Sequence, residues 1–249
     1  MIIIKSQDEI KRMAEACRIA AEVLEGIKRN IAPEITTKEL DEFAESFIIS
    51  KGARPAFKGY KGYPASLCTS INEQVVHGIP SALTRLKEGD IISFDIGVYY
   101  KGFYGDAAVT LPVGEIGVEA QKLISATEKA LQLGMANAVE GNRLSDISAV
   151  IQDHVESAGF SVVRSFVGHG IGRSLHEEPQ VPNFGKRGEG PRLMEGMTLA
   201  IEPMVNAGTW EVMVLEDGWT AVTKDGSLSA HFEHTVAVTK NSCIILTKL

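Results

Sequence analysis

Cysteine is scarce: Cys17, Cys68 and Cys243 are odd in number, widely spaced and in no C-x-x-C pair. That excludes a disulfide framework and a cysteine zinc cluster, and it suits reduced thiols in a cytosol. Positive charge is also short, with 25 Lys and Arg against 32 Asp and Glu for a formal charge of -7. A surface built mainly to hold nucleic acid needs clustered cations, and a local spot such as Lys186-Arg187 reads as solvated loop. Long apolar runs are missing too. "MIIIKSQDEIKRM" meets charge after three isoleucines, too short for a signal peptide, and no stretch approaches the roughly 18 residues of a membrane span. What remains is 249 residues, 44% of them hydrophobic, enough to bury a large core in one large domain or two small ones. The expectation is a cytoplasmic protein with no membrane partner and no specific nucleic-acid partner.

Two glycine and histidine motifs are absent as well. In "FVGHGIGRSLHEEPQVPNF" (166–184), Gly168, Gly170 and Gly172 stand two apart, and Arg173 holds the third glycine position of a dinucleotide loop. His176-Glu177-Glu178 begins like a zincin helix, yet Pro179 would break that helix and Gln180 replaces the second ligand. The stretch therefore reads as an irregular glycine loop exposing His169, followed by an extended segment carrying His176.

What is present is a repeat. Ser6 to Glu9 is a capping box before apolar residues at helical spacing, Ile10, Met13, Ala14, Cys17, Ala21, Leu24 and Ile27. Thr36 to Glu39 is a second, opening a helix with Leu40, Phe43, Ala44, Phe47 and Ile48 on one face and Gly52 as its stop. At an offset of 107 residues the face recurs as Ile147, Val150, Ile151, His154 and Val155, with Gly159 as stop and His154 the one mismatch. The same offset lays "EGDIISFDIG" (88–97) over "EGMTLAIEPM" (195–204) and Asp95 over Glu202. An offset of 99 pairs His77 with His176. One duplication predicts two α+β halves, about 7–112 and 113–249, related by a pseudo-twofold axis, with equivalent residues collected in a shared cleft.

"IISFDIGVYYKGFYGDAAVTL" (91–111) reads as a hairpin turning over 99–102. With Tyr100 and Lys101 at its tip, Asp95 faces Asp106 at a Cβ separation of about 5 Å. Two ionised carboxylates that close need a cation or a shared proton. Glu233 adds an acid among apolar neighbours in "SAHFEHTVAV" (229–238), where it also needs a positive partner. Singly, each such residue is unremarkable, a turn Asp or a polar surface His. As a set, Asp95, Asp106, His169, Glu202 and Glu233 offer four carboxylates and one imidazole. That donor set suits Mn, Fe, Co or Zn, and bridging carboxylates can hold two ions.

At these residues the chain resembles the type I methionine aminopeptidases over essentially its whole length. That implies a single catalytic domain over 1–249 with the α+β pita-bread fold of these metallopeptidases, two pseudo-twofold-related halves around a central antiparallel sheet. The matching strings are "YPASLCTSINEQVVHGIP", "ISFDIGVYYKGFYGDAAVT", "FVGHGIGRSLHEEPQVPNF", "LAIEPM" and "LSAHFEHTVAV". The resemblance implies removal of the initiator Met from nascent polypeptides, with a small second residue preferred. It implies two divalent ions and a water or hydroxide shared between them as nucleophile. Asp106 and Glu233 would bridge the ions, Asp95 would complete one site, and His169 with Glu202 the other. Glu202 would also move a proton, while His77 and His176 would contact the scissile amide. The methionine pocket maps onto Tyr60, Tyr63, Cys68 and Trp219. Leu175 takes a wall position where relatives carry an aromatic residue. His231 stands where relatives often carry glutamine and is expected near the metal site at the surface, not as a ligand. A monomer is expected, with a transient ribosome contact left open.

Two alternatives share the resemblance. Proline-specific aminopeptidases and prolidases have a similar fold and ligand set but usually a large domain before the first catalytic helix, which here begins near residue 7. A non-catalytic binding protein of the same fold is the other, and in such proteins the ligands are typically eroded, whereas all five stand here. The 31 residues from Glu202 to Glu233 leave no room for the helical insertion of type II enzymes. An N-terminal zinc-binding extension is not expected either.

Overall fold

The computed structural model describes residues 1–249. Its first part runs α1 (Gln7–Asn30), α2 (Thr37–Ser50), β1 (Arg54–Pro55), β2 (Cys68–Ile71), β3 (Gln74–Val76), β4 (Ile91–Tyr100) and β5 (Phe103–Pro112). The second contains α3 (Val118–Asn137), α4 (Leu144–Ser157), β6 (Ser161–Val162), β7 (Gly168–Gly170), β8 (Glu177–Val181), β9 (Thr198–Ile201) and β10 (Met204–Asn206). It closes with β11 (Val212–Val214), β12 (Ala221–Thr223), β13 (Ser229–His231), β14 (Glu233–Val238) and β15 (Cys243–Ile245).

The helices start and stop where local chemistry dictates. Ser6 Oγ accepts from the Glu9 N–H and the Glu9 carboxylate accepts from the Ser6 N–H, at 3.3 and 2.9 Å. Thr36 and Glu39 repeat the exchange at 3.2 and 2.7 Å. Each pair satisfies two donors that a helix start leaves open. Gly52 and Gly159 end α2 and α4 at φ of 72° and 84°, a backbone region that favours glycine. The bonds Ala53 N–H to Ile48 and Phe160 N–H to Val155 close the two ends alike. Both bounds of α2 reappear in α4 at an offset of 107, as does the end of α1 in α3.

A nine-stranded sheet carries the site, in the order β1-β4-β5-β14-β9-β7-β8, with β2 also on β4 and β15 also on β14. The seam between the halves is the antiparallel pair β5–β14, in register only at Ala108–Glu233 and Ala107–His234. Helices cover one face of the sheet. A Cβ at Gly105 would lie 2.5 Å from the Cys17 nitrogen, so only glycine lets α1 approach β5 this closely. Ile92, Phe94, Ile96 and Val98 of β4 pack into one cluster with α1 and α2, while Leu199, Ile201 and Val236 pack into another with α3 and α4. Alternation along the strands then sends Asp95, Asp106 and Ala108 to the opposite face.

Three expectations change here. The hairpin tip is Lys101-Gly102, both at positive φ (48° and 89°), because a two-residue turn that follows strand twist needs that conformation and glycine supplies it. Asp95 therefore pairs with Ala108 and Asp106 with Gly97, so the two acids are diagonal neighbours on one face and not opposite each other. His169 is not exposed on a loop but buried in β7, and the irregular turn between β7 and β8 carries His176 instead. The strand predicted over 195–204 is interrupted at Glu202-Pro203: β9 stays in the large sheet, and β10 joins β6 and β13 in another. Proline has no N–H for a ladder, which is why the change of sheet falls there.

Candidate active site

Strand register builds the site. Cys68 pairs with Asp95, Asp95 with Ala108 and Ala108 with Glu233. One step beyond the pair His234–Ile201 puts Glu202 beside Glu233. These positions form one row across the sheet, with Ala108 as the small residue in its centre. Asp106 stands two residues along β5, and His169 pairs with Ala200, two residues from Glu202. His169 Nε2 lies 3.5 Å from Glu202 Oε1 and 3.9 Å from Asp106 Oδ2. Ligand atoms of Asp106, His169 and Glu233 all fall within 4.8 Å of one another.

Burial dominates the electrostatics. It pushes the Asp95 carboxyl up to about 7 and that of Glu202 up to about 8, and it raises Asp106 and Glu233 well above the ordinary carboxylate range, with neighbouring acid charges adding to the shift. Desolvating one carboxylate costs several kcal/mol, and whole domains are stable by only about 5–15 kcal/mol. Four such groups together need protons or cations. Asp95 Oδ1, Asp106 Oδ1 and Glu233 Oε1 are buried without a hydrogen-bond partner. The His169 Nδ1–H donates to the Gly170 carbonyl at 2.9 Å, since a carbonyl can only accept, so the Nε2 lone pair points at the acids. Orphaned acid oxygens around an oriented imidazole are a donor set that fits divalent cations.

A cavity of about 70 Å³ opens onto this row, lined by the five candidate ligands together with His77, His176, Phe57, Tyr63, Cys68 and Trp219. Tyr63 is fixed by its hydroxyl, which donates to the Leu67 and Gly78 carbonyls at 3.1 and 2.9 Å, and its ring meets Trp219 at 5.1 Å. A second hollow of about 110 Å³ shares His77, Asp95, His176 and Glu202 and is closed by Val76, Phe166, Val167 and Met204. A larger hollow of about 320 Å³ between α1 and α3 reaches Glu233 but none of the other four candidate ligands, so the chemistry lies elsewhere.

The two remaining histidines approach from opposite halves. His77 sits at φ 61°, a strained conformation for a non-glycine residue, and Gly78 beside it passes so close to Thr69 that a Cβ would meet its carbonyl at 2.1 Å. Burial lowers the His77 imidazole to about 4. His176 stacks on Tyr60 at 5.3 Å, its Nδ1 is 2.8 Å from the Tyr60 hydroxyl, and its ring centre is 4.2 Å from that of His169. Burial lowers both rings, His169 to about 4.

Tyr60 thus meets the cavity through His176, and Leu175 packs with Phe57, Tyr63 and Cys68 without joining the lining. His231 is 1% exposed, not at the surface: its Nε2 is 3.5 Å from Glu202 Oε2, and neither ring nitrogen has a hydrogen-bond partner. Pairing of β13 with β10 draws it inward. Phe57, Phe166 and Met204 escaped the sequence reading, because lone apolar residues in loops or short strands carry no pattern pointing to a cavity.

The fold and donor set are those of a metal-dependent peptidase, and the chain belongs to metallopeptidase family M24, whose sequence pattern matches residues 11–240. Within it, the chain is 56% identical to a methionine aminopeptidase of Clostridium perfringens, over 99% of each. It matches the crystal structure of a methionine aminopeptidase from Thermotoga maritima at a TM-score of 0.99 and 48% identity, over 100% of both chains. A prolidase from Pyrococcus horikoshii has the same fold at a TM-score of 0.81 and 24% identity, with 64% of its own length covered.

Proposed function

We infer that this protein is a metal-dependent aminopeptidase that removes an N-terminal methionine from peptides and newly made chains. The observation that carries the reading is the convergence of four buried carboxylates and one oriented imidazole on a cavity walled by Phe57, Tyr63, Cys68 and Trp219. That aromatic and sulfur lining suits an unbranched thioether.

Asp95 and Asp106 on one side of the seam, with His169, Glu202 and Glu233 on the other, would hold two divalent ions. Such ions, when bound, acidify water and polarise the scissile carbonyl. Glu202, kept as a carboxylate when cations are present, takes a proton from the attacking water and returns it to the departing amine. His77 and His176, kept neutral by burial, offer N–H groups to the scissile amide. With the Tyr60 hydroxyl donating to His176 Nδ1, the ring proton stands on Nε2. The hollow closed by Val76, Phe166 and Met204 receives the second side chain, and its packed walls, with Met204 fully buried, favour Gly, Ala or Ser there.

The reading extends to residues 1–249 as a single catalytic domain that works as a monomer in the cytoplasm. Three free cysteines support the cytoplasmic placement; no helix is long and apolar enough to cross a membrane. The test is release of methionine from Met-Ala-Ser by purified protein with added manganese or cobalt, alongside an Ala-Pro peptide. Cleavage of the Ala-Pro peptide instead would overturn the assignment.

A further inference from the structure

Glu177 follows His176 at the start of β8 and does not line the cavity. Its side chain is 5% exposed, and Oε1 accepts from the Arg173 and Ser174 N–H groups at 2.8 and 3.1 Å. These bonds close the turn that carries His176. Oε2 meets Lys5 Nζ at 2.5 Å, and that side chain is only 2% exposed. Lys5 enters between two glycines: a Cβ at Gly172 would lie 2.5 Å from Lys5 Cε, and one at Gly196 would lie 2.6 Å from the Lys5 carbonyl. The Lys5 N–H donates to the Gly196 carbonyl at 2.8 Å, its ammonium also to the Ile3 carbonyl at 3.2 Å.

Lys5 therefore ties three pieces together, its ammonium joining the segment before α1 to the His176 turn and its backbone N–H joining both to the chain entering the strand that leads to Glu202. A hydrophobic pair of similar volume would stabilise such a place as well or better. The geometry the ion pair imposes differs from that of a hydrophobic pair, because it aims a carboxylate oxygen at two backbone N–H groups beside a reacting histidine.

We propose that Glu177 is a positioning residue for His176, holding its turn at the distance from the cavity that the reaction needs through the oxygen that accepts from the two turn N–H groups, with Lys5 as the counter-ion that lets its carboxylate stay buried there. The inference rests on the reading of His176 as a group on the scissile amide.

Two neutral double variants separate positioning from plain stability. Lys5→Met with Glu177→Gln removes both buried charges and keeps an amide oxygen for the two turn N–H groups. Lys5→Met with Glu177→Leu removes the charges and the acceptor. In manganese-loaded protein on a Met-Ala peptide, the first should keep kcat within about threefold, while the second loses about 10- to 100-fold at unchanged KM, the scale of a displacement near 1 Å. In a His176→Ala background the second pair of changes should alter kcat less than about twofold. Glu177→Asp covers failure of the leucine variant to fold: it keeps the charge on Lys5 and draws the carboxylate back by one methylene, so kcat should fall at constant KM. Equal kcat in the two doubles beside a damaged His176→Ala variant overturns this inference alone. A silent His176→Ala variant overturns the role of His176 and this inference with it.

Discussion

Thr235 grips Asp106 across the seam between the halves: its hydroxyl donates to the Asp106 carbonyl at 2.8 Å and accepts from the Asp106 N–H at 3.2 Å. Thr110 holds the backbone of His231 in the same way, at 2.8 Å in each direction. The β5–β14 ladder has only two register pairs, and these hydroxyls stand in for ladder bonds at its two ends. They set how far Asp106 sits from Glu233. Thr235→Val, which keeps the shape and removes the hydroxyl, leaves a buried N–H and C=O without partners, at about 1–3 kcal/mol. Denaturant unfolding should show that loss, and calorimetric titration should show weaker manganese binding. Thr235→Ser should restore both. A valine variant with unchanged metal affinity would refute the seam's part in setting the site.

Acidity of the site predicts how stability follows pH in metal-free protein. Burial raises Asp95 from 3.8 to about 7 and Glu202 from 4.5 to about 8, so between those values the folded state binds more protons than the unfolded chain. Their contribution is present below about pH 4 and is lost as pH rises through 7 and 8. His77 and His169, lowered from 6.5 to about 4, act the other way, losing stability as pH falls through that range. Above about pH 6.5 the acids act alone. After treatment with EDTA, Tm should fall from about pH 6.5 to 8.5. Manganese binding should strengthen over the same window, because its ligands must lose protons. A metal-free Tm that climbs over that window contradicts the burial argument.

The second hollow makes a claim about substrate choice. Its roughly 110 Å³ is bounded by Phe166 and Met204, with Met204 fully buried. Met-Gly and Met-Ala peptides should react far faster than Met-Leu or Met-Lys. Met204→Ala should raise kcat/KM for Met-Leu at least tenfold relative to Met-Ala, since removing three heavy atoms opens room for a branched side chain and a well-packed wall relaxes only partly. Equal rates across the wild-type series, or a Met204→Ala variant with an unchanged ratio, would move the second side chain elsewhere.

Periodicity and repeat offsets made much of this chain legible. The offset of 107 set Asp95 over Glu202, that of 99 set His77 over His176, and the structure brings all four to one cavity. Offsets compare a segment with its copy; they say nothing of the strand alongside it. The tip of the β4–β5 hairpin was placed one residue early because β-branched and aromatic runs bracket a turn without fixing which pair takes positive φ. Thr235 and Asp106 meet across 129 positions, and Lys5 and Glu177 across 172. Neither pair has a local signature. His231 looked like a surface residue for the same reason: its burial comes from β10, not from its own strand.

His169 and His176 look interchangeable, with ring centres 4.2 Å apart, yet their bonding separates them. The Nδ1–H of His169 is committed to the Gly170 carbonyl, and its Nε2 faces Asp106 and Glu202. His176 instead leans on Tyr60 and has no carboxylate within ion-pair distance. His169→Ala should therefore lose metal as well as turnover, since an imidazole supplies one of the few bonds to that ion. His176→Ala should keep its metal and lose about 10² to 10³ in kcat, the usual effect of removing one donor to a developing oxyanion, with a smaller change in KM. Tyr60→Phe should weaken turnover in the same direction but less, because the ring keeps its stacking and loses only the bond to Nδ1. The measurement is manganese titration by calorimetry into all three variants beside turnover on one Met-Ala peptide. If His176→Ala loses metal as His169→Ala does, then His176 is a ligand, and the division of labour between the two histidines is wrong.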